Sequence, residues 1–259
     1  MGPDEHGVVR CARELASATA SPVISDLEQL PLDSATHVHF TDRLFGRTAE
    51  AAADAFVAFA QRHRAPITLT MHDVPQASDG HAFEARKKCY RRVADCAAAV
   101  VVSSMHERLL LDDVLDGGDD VRVIPLPIGR AEPRTEDRVA PRKLVGVLGF
   151  VYPGKGHEEV LDAMTSLDTD VDLLSIGSAS PGHESMIEEL GRAAEQLGRS
   201  FTSTGFVPDA ELNEILRSIA IPVAFHRHVS ASGSINSWIA AGRRPLVPRG
   251  RYVEEMETN

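Results

Sequence analysis

The chain has 259 residues, 43% of them hydrophobic, which suffices for one large domain or two small ones with a core that needs no staples. Its formal net charge of −11 argues against a general nucleic-acid binder, because nothing offsets phosphate repulsion over most of the surface. No run is apolar enough to span a bilayer, the N-terminus lacks a signal-peptide pattern, and Cys11, Cys89 and Cys96 lack metal-ligand spacing, so the expectation is a cytoplasmic protein with free thiols.

In chain order, Val8–Ala16 carries apolar residues at helical spacing. Short β-branched runs at Val23–Ile24, His37–Phe40, Ile67–Met71, Ala99–Val102 and Val121–Pro125 read as strands. Between them, helices are expected over Thr48–Gln61, from about His81 to Asp95, and over Met105–Leu115, the last ended by Gly117–Gly118. Arg86, Lys87, Lys88, Arg91 and Arg92 form a local basic run on the second of these. It reads first as a solvated face and secondarily as a weak contact for an anionic membrane surface.

Polar, Pro-flanked residues from Arg130 to Arg142 then break the pattern, and 131–142 reads as a linker. A second alternating series follows. Leu144–Phe150 is a continuous apolar strand, suited to burial on both faces. After it come a helix from about His157 to Leu167, a strand Val171–Ile176, a helix Ser185–Leu197 and a strand Phe201–Phe206. A helix opened by Pro208–Asp209 reaches Ile219, and strands Ile221–Phe225 and Leu246–Val247 flank a helix near Ser234–Ala241. The pattern is α/β, with an N-terminal unit over 1–130 and a C-terminal unit over 143–259, each a Rossmann-like parallel-sheet domain. Ligands of such sheets bind at the carboxyl ends of strands, so a cleft between two facing sheets is the expected site.

The densest chemical signal is the turn Gly149–Phe150–Val151–Tyr152–Pro153–Gly154–Lys155–Gly156, where a strand hands over to a helix. Free N–H groups at a helix start, the helix dipole and a lysine ammonium together make an anion site. The run imitates a P-loop, but a P-loop needs Ser or Thr after the lysine to hold Mg²⁺, and here Gly156 stands there. Pro153 also removes one N–H from the cradle. The structural alternative is a Gly-rich turn with no ligand.

Gly149-Phe-Val-Tyr-Pro-Gly-Lys-Gly-His-Glu resembles the donor-site turn of family 4 glycosyltransferases, retaining enzymes of the GT-B fold with two Rossmann-like domains across a cleft. The resemblance implies that Lys155, with Gly154, Gly156 and His157, holds the diphosphate of a nucleotide-sugar. The family's accompanying arginine has no match, Tyr152 lying near its place. Leu69-Thr-Met-His72-Asp73-Val-Pro is similar to the strand end that carries a histidine beside the donor sugar. That implies a sugar- or acceptor-positioning role for His72, with Asp73 as the neighbouring alternative. His6-Gly7 resembles the small-residue loop facing the acceptor. Val100-Val-Val-Ser103-Ser104 and Val121–Gly129 resemble the last strands of the N-terminal domain.

Members usually carry two glutamates eight positions apart around a Gly-rich loop and the following helix. Here Val229 and Ser237 stand at those positions, and Ser230–Ser237 is hydroxyl-rich instead. Ser232, Gly233, Ser234 and Asn236, with Gly177 and Arg227, are the remaining donor-side candidates, and His226 stands beside Arg227. Helix capping by Ser232 or Ser234 is the structural alternative. Both chain ends are short against the family pattern, which implies a fragment or a minimal variant with a truncated C-terminal domain.

The implied reaction is metal-independent transfer of a hexose from a UDP- or GDP-sugar to an acceptor, with retention at the anomeric carbon and no cofactor. The alternatives are a weak or inactive nucleotide-binding relative and a non-catalytic α/β interaction domain.

Overall fold

The computed structural model describes residues 6–115, 120–129, 143–168, 170–226 and 229–258. The expected linker, Gly117–Gly118 and Arg227 lie outside the described residues. Two compact units are present, one comprising 1–126 with 254–259 and the other 127–253.

Unit 1 holds a four-stranded parallel sheet in the order β1-β2-β3-β4: β1 is Thr36–Phe40, β2 Ile67–Met71, β3 Ala99–Val102 and β4 Val121–Val123. Its helices are α1 (Gly7–Ala18), the short α2 (Asp42–Phe45), α3 (Ala49–Arg62), α4 (Phe83–Ala94) and α5 (Met105–Leu115). Thr48 starts α3 by accepting the Ala51 N–H at 3.1 Å, and Ala52, Ala53, Phe56 and Phe59 then bury one face. Phe56 meets Phe40 of β1 edge-on, and Phe40 meets Tyr90 of α4 the same way, so helix and sheet share one aromatic core.

Unit 2 repeats the scheme with strand order β7-β6-β5-β8, again all parallel. Here β5 is Lys143–Leu148, β6 Val171–Ile176, β7 Phe201–Ser203 and β8 Ile221–Val223. The helices are α6 (His157–Ala163), α7 (Ser185–Gln196), α8 (Asp209–Ser218) and α9 (Gly233–Ala240). Central β5 packs so tightly that a Cβ at Gly146 would lie 2.9 Å from the Ile219 side chain. A last helix, α10 (Arg251–Thr258), is divided between the units at Val253.

The sequence expectations meet several differences. Val23–Ile24 is not a strand: Pro22 precedes it, no β1 neighbour pairs with it, and Val23 is about half exposed. Leu246–Val247 contributes a single bridge, Val223 to Leu246, rather than a strand. The helix after β5 gives way after Ala163 to a 3-10 turn, Met164–Ser166. Helices α2 and α10 stand where the sequence shows no expected helix. Among the described residues no helix is long and apolar enough to cross a membrane.

Candidate functional site

In unit 2 the turn after β5 is stitched to the segment following β6. Gly149 N–H donates to Ile176 O at 2.9 Å, Val151 N–H to Ser178 O at 2.9 Å, and Ser180 N–H to Val151 O at 3.0 Å. Gly149, at φ 115, and Gly156, at φ 101, take left-handed conformations that a side chain would strain. Space is as restrictive as the dihedrals: a Cβ at Gly156 would sit 2.0 Å from the Phe225 carbonyl oxygen. Gly177 approaches just as closely, its missing Cβ position lying 2.3 Å from Gly149 O.

That crowding sets Lys155. Its side chain folds back over Gly149, with Nζ 2.8 Å from where a Cβ at 149 would stand. The residue is only 7% exposed, and among the described residues its ammonium has no hydrogen-bond or ion-pair partner. Burial alone lowers its pKa to about 7. Gly154, at φ 89, lets the chain turn before it, and Gly156 opens α6 with no side chain capping the helix.

Two histidines near Lys155 are neutral near pH 7. His157 is buried, its Nε2 3.1 Å from Ser175 Oγ, and burial and then Lys155 lower its pKa to about 4. His226, just past β8, lies 3.1 Å from Ser234 Oγ through Nε2, and burial and then Lys155 push it down to about 3. Ser232 caps α9, its hydroxyl accepting the Ile235 N–H at 3.2 Å, and lies 3.0 Å from Ser234 Oγ. Gly233 is exposed at the start of that helix. Asn236 is buried and donates to Pro127 O at 3.4 Å. Ser237, at the second glutamate position of the family pattern, spends its hydroxyl on Gly233 O at 2.9 Å within its own helix.

In unit 1, His72 and Asp73 follow β2. His72 continues the ladder by donating its N–H to Phe40 O at 2.8 Å and is buried. Asp73 has a left-handed backbone at φ 50, and its carboxylate accepts the Thr41 hydroxyl at 3.0 Å. Helix α4 fastens this bend. Tyr90 donates to His72 O at 2.6 Å, and Arg86 Nη2 donates to Asp73 O at 2.6 Å. Arg86 is itself held by Asp42 at 3.0 Å and by Asp79. Within the basic run, then, Arg86 faces inward, Arg91 donates to Val114 O at 2.9 Å, and Arg92 pairs with Asp54 at 2.7 Å.

His6 caps α1, its Nδ1 accepting the Val8 N–H at 3.2 Å, and the neighbouring Gly7 is exposed. The ring of His39 stacks on that of His72, with Nδ1 3.0 Å from His72 Nε2. Burial first, then neighbouring histidines, lower His72 to about 4 and His39 to about 3, so both rings are neutral near pH 7. His39, Tyr90 and Arg86 were missed as site residues. The alternation His37-x-His39 was a usable signal for His39, since period two puts both rings on one face of β1.

No family model and no curated protein sequence matches the chain. Solved structures do. HepE of Anabaena in complex with UDP-glucose is 16% identical with a TM-score of 0.66, over 85% of this chain and 61% of that one. TarM is 14% identical with a TM-score of 0.60, over 93% and 44%. An α,α-trehalose-phosphate synthase (UDP-forming) from Burkholderia xenovorans, in complex with glucose-6-phosphate, is 13% identical with a TM-score of 0.60, over 97% and 65%. The chain spans less than two thirds of each. At these identities the likeness shows a shared α/β parallel-sheet fold.

Proposed function

We propose that the chain belongs to the nucleotide-sugar glycosyltransferases, moving a hexose from a UDP- or GDP-sugar to an acceptor with retention and without a metal in the chemistry. The observation that carries this reading is Lys155, a buried ammonium without a counter-charge at the glycine turn. A buried cation costs several kcal/mol unless something negative meets it, and a diphosphate is such a group. Support comes from HepE, which shares the fold and has been seen with UDP-glucose and with UDP.

In this reading the bond between the anomeric carbon and the diphosphate oxygen breaks with its electron pair going to the phosphate. Lys155 stabilises that charge, more strongly than in water because the site is buried. The acceptor oxygen attacks from the face the phosphate leaves, and its proton passes to a phosphate oxygen. His72, neutral and held by the α4 contacts, positions the sugar, and Asp73 is the alternative in that role. His6 and Gly7 serve the acceptor side. Ser232, Ser234 and the Gly177 turn complete the donor side, together with Arg227. The outward members of the basic run, Lys88 above all, offer an anionic membrane surface a weak contact.

The test is a thermal-shift and calorimetric panel of UDP, GDP and ADP on the native chain and on Lys155→Ala. A shift with UDP or GDP that Lys155→Ala loses supports the donor site. No shift with any nucleotide points instead to an interaction domain. A second reading, binding without turnover, is favoured by Val229 and by Ser237 with its hydroxyl spent inside α9. Nucleotide binding without sugar release or transfer from UDP- or GDP-hexoses would establish it.

A further inference from the structure

Cys11, on α1, His39, on β1, and His72, just past β2, come from separate parts of the sequence and converge within unit 1. One ligand atom from each lies within 4.8 Å of the others. His39 Nε2 is buried and has no partner among the described residues. The ring of His37, held by Thr68 at 2.8 Å and Thr70 at 2.9 Å, abuts His39 edge-on and fixes its orientation.

We propose that Cys11, His39 and His72 form a binding site for a single zinc ion, with three protein ligands and the fourth position open. A thiolate with two neutral imidazoles selects zinc and its soft or borderline relatives over magnesium or calcium, which take oxygen ligands. Zinc bonds of about 2.0–2.3 Å set tetrahedral nitrogen and sulfur ligands roughly 3.3–3.6 Å apart, so atoms that lie within 4.8 Å of one another would close by at most about 1.5 Å. Binding releases one proton, the thiol hydrogen passing to solvent as sulfur donates its pair to the metal. The spacing of the three cysteines concealed this set, because two of its members are histidines that only the fold brings to Cys11. The assignment concerns unit 1 and shares His72 with the transferase reading, but metal binding tests it without reference to transfer.

The test uses the full chain, stripped with chelator and titrated with cobalt(II) as a spectroscopic stand-in for zinc. One equivalent should bind with a thiolate-to-cobalt charge-transfer band in the near ultraviolet, and zinc should displace it. Cys11→Ser should abolish the band and weaken zinc binding by at least about tenfold, and His39→Gln should weaken it similarly. A measurement needing no substitution accompanies these: zinc should protect Cys11, identified by peptide mass, from alkylation. A folded protein without the band, a band that persists in Cys11→Ser, or alkylation of Cys11 at the same rate with and without zinc would each overturn the site.

Discussion

Lys155 is held in the native state with a pKa of about 7 against an ordinary 10.5, so across that window the folded chain carries fewer protons than the unfolded one. Native stability therefore rises with pH between those values and is flat below the lower one. Lys155→Met removes the cost of the buried charge. Denaturant melts should find this variant more stable than the native chain below pH 7, by on the order of a few kcal/mol, with the gap closing toward pH 10.5. Nucleotide binding has the opposite demand, because an anion needs the ammonium charged. Corrected for the nucleotide's own phosphate titration, UDP affinity should be greatest below pH 7 and fall by up to about tenfold per pH unit above it. Lys155→Arg keeps its charge throughout and should flatten that profile, read by calorimetry across the pH range.

Helix α4 does its work through side chains that leave its own axis. Arg86 ties Asp42, Asp79 and the Asp73 carbonyl together from a position only 13% exposed, and Tyr90 holds His72 O. Arg86→Ala strands two carboxylates near the core and should cost about 3–5 kcal/mol of unit 1 stability in urea unfolding. The C-terminal helix α10 contributes in a comparable way. Glu255 accepts the Met105 and His106 N–H groups at 2.8 and 3.1 Å and so caps α5 from a distance of 150 residues in sequence. Glu255→Ala should cost about 1 kcal/mol, seen as faster amide exchange at the start of α5. Such contacts explain what was readable in advance. The helices of both units, α1 and α3 to α9, were found because a 3.6-residue apolar period is a local property. The glycine turn was also visible, since strand, glycines and lysine are contiguous. The acid that caps α5 was not visible, because it comes from a remote element, and although alternation along β1 marks His39, its stacking on His72 is set by a different strand. Val23–Ile24 misled for the complementary reason: β-branched residues promise a strand, but this segment follows Pro22, leaves Val23 half exposed and pairs with no strand of the sheet.

At the scale of the molecule, the formal charge of −11 opposes the approach of any nucleotide, while the one cation at the glycine turn lies buried. Association of UDP should therefore speed up as salt is added, because screening weakens the overall repulsion before it reaches the enclosed contact with Lys155. Stopped-flow rates at increasing ionic strength would check this, and a rate that falls with salt would place an unshielded positive field at the site. The same enclosure bears on descent. At the fixed positions of the phosphate-loop motif this turn differs from the loop of nucleotide hydrolases at one, where Gly156 stands in place of a hydroxyl amino acid. Exchange to serine is a single-base change from half of the glycine codons, yet the first atom of any new side chain would collide with Phe225 O at 2.0 Å on a backbone turned to φ 101. The neighbouring sequence is thus accessible to mutation but closed to folding. Lineages carrying this packing are held on their side of the divide until the segment after β8 moves first.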